Sequence, residues 1–497
     1  MEIKSVSNAL IAPWLRWWAV GLAVLLLAAV RPGVSVGQEL ARQLVAARYP
    51  AGFLRCDLTV RLPTGEVDVQ QVDLGAGACY DVDFTAAQIR QALDQVGGFT
   101  SLREDLWTAD LPIAELLQDN SLAAKLQRLE VALENDYRSS PADYPPLPAL
   151  ETLTLYCDGR TLREAGLLQL AARTPRLRQL ELWGCHVTQA ELRQLLQASS
   201  IRSLSLRRCQ LDKDALQAID KAESLTELTI SLDDLNAGQF DWGKASPRLD
   251  VVFDKPLTSV KKLMGLHVRS VKFDFALQPD EVAQILGAIP AAELEEAVIE
   301  RDISKRMIEH LRRFPRLKAV ELAGGFDADV LQGLRQITSL ERLTVTGSSK
   351  AKPLLSLETL AALPKLQQLT LGEVAISGDA DSAGDQPFPP LESLKFWSVD
   401  NASALTTRML AAGDQPQTLT VSPTDYQKLK AENGLPAAAD ANWGLRLLPE
   451  VEDFQTLDEI RAILDEEPSF RRLECVVDFL DLAELRKIAA AGRPSRE

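Results

Sequence analysis

Residues 177–211 read LRQLELWGCHVTQAELRQLLQASSIRSLSLRRCQL, and the fold follows from this stretch. Leu177, Leu180 and Leu182 hold the first, fourth and sixth places of a short frame, and Ile201, Leu204 and Leu206 hold the same places one repeat later. Within the frame Gln179, Glu181 and Trp183 alternate with the leucines, the two-residue period of a strand with one buried face. Between the frames Thr188-x-x-Glu191 forms a capping box, and Leu192, Leu195 and Leu196 follow at helical spacing. Working outward, the frame begins again at Leu150, Leu225, Val268, Leu317, Leu340, Leu366 and Leu391. Weaker copies start at Cys79, Leu102, Leu126, Leu249, Leu294, Pro416, Asn442 and Phe470. From Cys79 to Phe470 the steps average about 24 residues, the period of a strand-plus-helix solenoid. Asp105 and Asp254 occupy apolar places, which makes the Leu102 and Leu249 registers the least secure. Further capping boxes stand at Thr85/Gln88 and Thr161/Glu164. Pro148, Pro175, Pro247, Pro315, Pro364 and Pro389 each precede a frame by two residues, where proline ends a helix and favours extended backbone.

With that core repeated over about 400 residues, the chain resembles the leucine-rich-repeat family. The units LRQLELWGC with VTQAEL, and IRSLSLRRC with QLDKDAL, are similar to the cysteine-containing repeats of F-box adaptors. The resemblance implies an α/β fold: a horseshoe solenoid like ribonuclease inhibitor, with a parallel concave sheet and convex helices. It does not extend to an F-box, because an apolar segment stands where that module belongs. The expected organisation is a leader over 1–37, an N-terminal cap over 38–78, and about 17 repeats over 79–475. A C-terminal cap and tail follow over 476–497. The cap is read from a helical pattern at Glu39–Arg48 and a hairpin around Pro63-Thr64-Gly65, and a closing helix is expected from Leu480 to Ala491.

The leader has Lys4 and Arg16 ahead of the apolar run Trp17 to Val30, closed by Arg31-Pro32. Such a run makes about 21 Å of helix, short of the ~30 Å hydrocarbon core, which favours an export signal cleaved before Gln38 over a permanent anchor. Adding Ala9 to Pro13 and the tryptophan pair lengthens it towards an uncleaved transmembrane anchor. In either case the remainder is expected outside the cytoplasm, with membrane contact confined to residues 17–30.

Acidic residues outnumber basic ones, 70 to 54, for a net charge of −16. A surface of that sign argues against nucleic acid. Three histidines and six scattered cysteines supply neither a nucleophile with its base nor a C-x-x-C metal site, so no enzyme activity, cofactor or metal is expected. The Asp379, Asp381 and Asp385 stretch has alanine and proline at places where a calcium loop needs oxygen, and it reads as a polar insertion. Cys185 and Cys209 hold equivalent places in adjacent units. They are open to pairing, although a buried ladder of unpaired thiols is the simpler arrangement.

The candidate function is recognition of a protein or surface polymer on the concave face, by a chain expected to be monomeric. Tyr156, Trp183 and Arg207 fall at one position of three successive strands, and these residue types dominate binding hot spots. Glu181 lies beside them, and Trp397 ends a later strand. The competing arrangement is that Arg207 stacks on Trp183 and satisfies it within the chain. Other roles considered are an F-box-like adaptor in ubiquitin-type targeting and a structural envelope protein.

Overall fold

The computed structural model describes residues 54–61, 66–74, 85–104, 113–133, 140–157, 159–198, 200–212, 214–222, 224–231, 248–253, 255, 257, 268–274, 277–300, 302–326, 330–348, 352–378, 388–411, 418–432, 435, 444–447, 457–466 and 472–490. The leader, the frame at Cys79 and the Asp379–Asp385 stretch lie outside them.

Each described frame becomes a strand of four to seven residues in one parallel ladder. After an N-terminal hairpin, β1 (Leu54–Arg61) and β2 (Glu66–Leu74), come β3 (Ser101–Glu104) and the strands Arg128–Ala132, Thr152–Tyr156, Gln179–Trp183, Ser203–Arg207, Glu227–Ser231, Arg248–Phe253, Ser270–Phe273, Glu296–Ile299, Ala319–Ala323, Arg342–Thr346, Gln368–Gly372, Ser393–Trp397, Thr418–Val421, Gly444–Leu447 and Arg472–Asp478. Strands form at both insecure frames, but not in the register read from sequence: Leu102 pairs with Leu129 and Leu249 with Leu228, both fourth-place residues, so neither leucine opens its frame. Frame leucines are buried and the alternate residues half-exposed, as in the Thr152–Tyr156 and Ser393–Trp397 strands. The buried face packs against short helices such as Ala86–Val96, which turns Ile89, Leu93 and Val96 inward. Its capping box at Thr85 and Gln88 is formed. In the repeat begun by Thr188 the Glu191 carboxylate accepts from the backbone N–H of Arg163, tying one repeat to the previous one.

The sheet is not an open horseshoe. β2 pairs with β3 in parallel, β1 pairs with β2 antiparallel, and β1 also pairs antiparallel with the last strand, Arg472–Asp478. Among the described residues the eighteen strands of this sheet therefore close on themselves, with β1 the only one running against the rest. Residues expected to cap one end instead join both ends, because two exposed edges can satisfy their backbone groups through one shared hairpin. Followed through hydrogen-bonded partners from Thr154, the register reaches the last strand opposite Arg472 in one direction and at Asp478 in the other, an offset of six residues that tilts the strands. Eighteen strands about 4.8 Å apart make a ring about 27 Å across between opposite backbones, and barrels of this strand number leave a channel where eight-stranded ones are filled.

The Phe479–Ala490 helix packs over β1, β2 and the last strand. From it Arg486 donates to the carbonyls of Gln95, at 3.0 Å, and Val96. Those carbonyls end the Ala86–Val96 helix, where unsatisfied oxygens and the helix dipole favour a cation. Inside the seam Asp73 is almost wholly buried and meets Arg103 at 2.9 Å and Arg55 at 3.9 Å. Burial pushes its carboxyl above the usual range, against the pull of Arg103.

The cysteines differ from expectation. Cys157 and Cys185 form the disulfide, and Cys209 stays a thiol. After the Gln179–Trp183 and Ser203–Arg207 strands, one residue of positive φ, Gly184 or Arg208, precedes the cysteine. Cys157 follows Tyr156 directly, and that shorter turn brings its Cα to 5.1 Å from Cys185. The Cys209 Sγ instead rests 3.4 Å from the Arg207 carbonyl, and burial pushes this thiol up to about 12. Non-reducing peptide mapping should return one linked pair, Cys157 with Cys185. A Cys185–Cys209 peptide would show that the turn has been misplaced.

Candidate binding surface

Strand alternation sends Tyr156, Trp183 and Arg207 to the inner face of the ring, and the register sets them directly opposite one another. The Tyr156 and Trp183 rings stack with centroids 5.6 Å apart and planes at 25°. The Arg207 guanidinium lies 5.0 Å from the Trp183 centroid. Beneath them Glu181 accepts from the indole N–H at 3.0 Å and ion-pairs with Arg207 at 3.1 Å. On the other side the Tyr156 hydroxyl donates to Glu130 at 3.0 Å. Burial, then the neighbouring Glu130, pushes the phenol well above its ordinary value, so it stays a donor at any physiological pH.

Four of the five residues singled out from sequence thus form one ladder, and Glu130 completes it. Glu130 is the fifth-place residue of the Leu126 frame, on the same face as Ala132, which pairs with Tyr156. The internal stacking of Arg207 on Trp183 is present. It fixes the side chains before any partner arrives, so that little rotamer freedom remains to be lost on binding.

Trp397 is not part of this ladder. Its strand lies nine places from that of Trp183 in either direction around the ring. Its ring lies over Gly372, directly opposite on the preceding strand, where any Cβ would collide with the indole. Lys395 stands 5.5 Å from the same ring. Burial, then Arg446, holds this ammonium below its ordinary value. The ring therefore carries two aromatic stations on opposite walls.

Much of the remaining inner face is paired within itself: Arg269 with Asp250 at 2.6 Å, Lys272 with Glu300 at 2.7 Å and Arg342 with Glu296 at 3.0 Å. Among the described residues no group of three metal-ligating side chains converges. No helix of the described residues is long and apolar enough to cross a membrane.

No protein-family model and no curated protein matches the chain. Among solved structures it is similar to internalin C2 of Listeria monocytogenes, at 19% identity over 52% of this chain and 84% of that one, with a TM-score of 0.20. The mouse RP105/MD-1 complex matches at 12% identity over 65% of this chain and 67% of that one, TM-score 0.30. The ectodomain of the Arabidopsis thaliana receptor kinase GASSHO1/SCHENGEN3, solved with CASPARIAN STRIP INTEGRITY FACTOR 2, matches at 13% over 71% and 46%, TM-score 0.26. The frame leucines and the parallel register of the chain itself define a leucine-rich-repeat architecture.

Proposed function

We propose that this protein is a non-catalytic scaffold that recognises a protein partner through the inner face of its ring and acts outside the cytoplasm. The observation that carries the reading is the Glu130, Tyr156, Trp183, Arg207 ladder, a pre-ordered row of the residue types most enriched at binding hot spots. The Cys157–Cys185 disulfide supports an oxidising compartment, in keeping with the basic and apolar leader. A closed ring limits how a partner reaches the ladder. With side chains occupying the rim of a lumen about 27 Å across, a helix about 10–12 Å wide or an extended segment fits, and a globular face does not. Affinity capture on immobilised full-length protein, from the extracellular or envelope fraction of its source, tests the reading. The Trp183→Ala variant should weaken capture of a specific partner by about 2 kcal/mol, roughly 30-fold. Undiminished capture by Trp183→Ala and Tyr156→Ala together would contradict it.

A further inference from the structure

A second concavity lies at the seam, at the opposite end of the strands from the aromatic ladder. Its volume is 340 Å³, and its walls include Asp57 and Gln71 of the hairpin, Ser101 of β3, and Gln127, Arg128 and Glu151 from the next two repeats. The register places Asp57, Gln71, Ser101 and Arg128 in one row on four adjacent strands, which spaces their heads at about 5 Å intervals.

The polar capacity of this row is only partly used. Gln71 is oriented by donating to Asp73 at 2.7 Å and accepting from Ser101 at 3.3 Å. One Asp57 oxygen is buried without a hydrogen-bond partner, and its nearest cation, Arg55, is 3.9 Å away. Among the described residues no hydrogen bond or ion pair engages the side chains of Gln127, Arg128 or Glu151. The buried Asp57 oxygen is costly unless something completes it, whereas Gln127, Arg128 and Glu151 are exposed and can meet a ligand without breaking an internal contact.

The lining selects a ligand class. It contains no aromatic or aliphatic side chain, so apolar burial cannot drive binding. Two carboxylates against one guanidinium repel phosphate and other anions. An extended peptide would bind by adding to a sheet edge, and closure of the ring leaves no edge. A neutral molecule whose groups are each donor and acceptor, as sugar hydroxyls are, matches a lining that mixes carboxylates, amides, hydroxyls and one guanidinium. Carboxylates can accept from such hydroxyls while glutamine and arginine donate to them. The volume falls in the range of small-ligand sites, enough for one or two sugar rings.

We propose that the seam cavity binds a neutral carbohydrate of one or two pyranose rings. Because the hairpin forms one wall, the sugar binds only the closed ring and stabilises it by mass action. The proposal stands apart from the protein-partner reading, since it uses none of the ladder residues. The test titrates the full-length chain, kept in solution by a detergent without a sugar headgroup, with cellobiose, maltose and N,N′-diacetylchitobiose. Inorganic phosphate and glucose 6-phosphate are the contrasting probes. At least one neutral disaccharide should bind saturably with Kd of about 0.1–10 mM and raise Tm. Arg128→Met and Gln127→Ala, both at exposed positions that take no part in folding contacts, should each weaken it about tenfold and keep the native circular dichroism. Three results would overturn the proposal: no neutral disaccharide bound, a phosphorylated probe bound more tightly, or affinity unchanged in both variants.

Discussion

Replacing Val60 with proline is expected to open the ring. Val60 sits in β1 between Val67 of β2 and Leu473 of the last strand, with its side chain fully buried. Proline has no N–H for either ladder, and a central strand tolerates it poorly. Together with the lost burial, the cost should be about 4 kcal/mol or more. The repeats themselves do not depend on β1, so the loss should be local. Hydrogen exchange should quicken in β1, in β2 and along Arg472–Asp478, while strands near Trp183 keep their protection. Small-angle scattering should show a larger radius of gyration. An unchanged radius with unchanged exchange at both edges would mean that β1 is not the clasp.

Phe273→Ala should cost about 3–5 kcal/mol through the cavity it leaves, with about 1 kcal/mol more from the lost ring pair. Phe273 is fully buried and stacks on Phe253, its partner on the adjacent strand, with centroids 5.2 Å apart and planes at 11°. The two phenylalanines pair directly across adjacent strands and fill places that leucine or isoleucine holds in many other repeats. Closure alters the consequence. In an open array a weak repeat separates two halves, whereas in a ring the hairpin still holds the far side. Val60→Pro and Phe273→Ala are far apart, yet together they cut the ring twice. Chemical denaturation of the double variant should therefore show a loss exceeding the sum of the single losses by roughly 1 kcal/mol or more. Simple additivity would argue for an open chain.

What the sequence disclosed was whatever repeats locally. The frame at Leu177, Leu180 and Leu182 fixes which side chains are buried, and with it the row that brings Tyr156, Trp183 and Arg207 into contact. The Thr85/Gln88 box marks its helix start for the same reason, since it depends only on residues three apart. Closure is different in kind. Eighteen strands close when each turns the sheet by about 20°, and a small error per repeat, summed around the array, decides between ring and horseshoe. No single side chain carries that angle. The available hint was the hairpin-like pair around Pro63-Thr64-Gly65, whose first strand is β1 and which reads as a cap. The cysteine pairing turned on one residue of positive φ, Gly184 or Arg208, present in two repeats and missing after Tyr156. Arginine gives no sign of that conformation in the sequence. Trp397 could be placed on the inner face, but its distance from the ladder follows only from the strand count around the ring.

The most direct test of the closed ring is a distance across the seam. Spin labels at Arg128 and Arg472, both exposed, lie on strands separated only by β1, β2 and β3. Pulsed electron resonance on the full-length chain should return one narrow distribution centred at about 20–25 Å, the span of those four strand spacings with the offset along the strands. A broad distribution at much longer distance would show that the two ends never meet, and would return the protein to an open horseshoe.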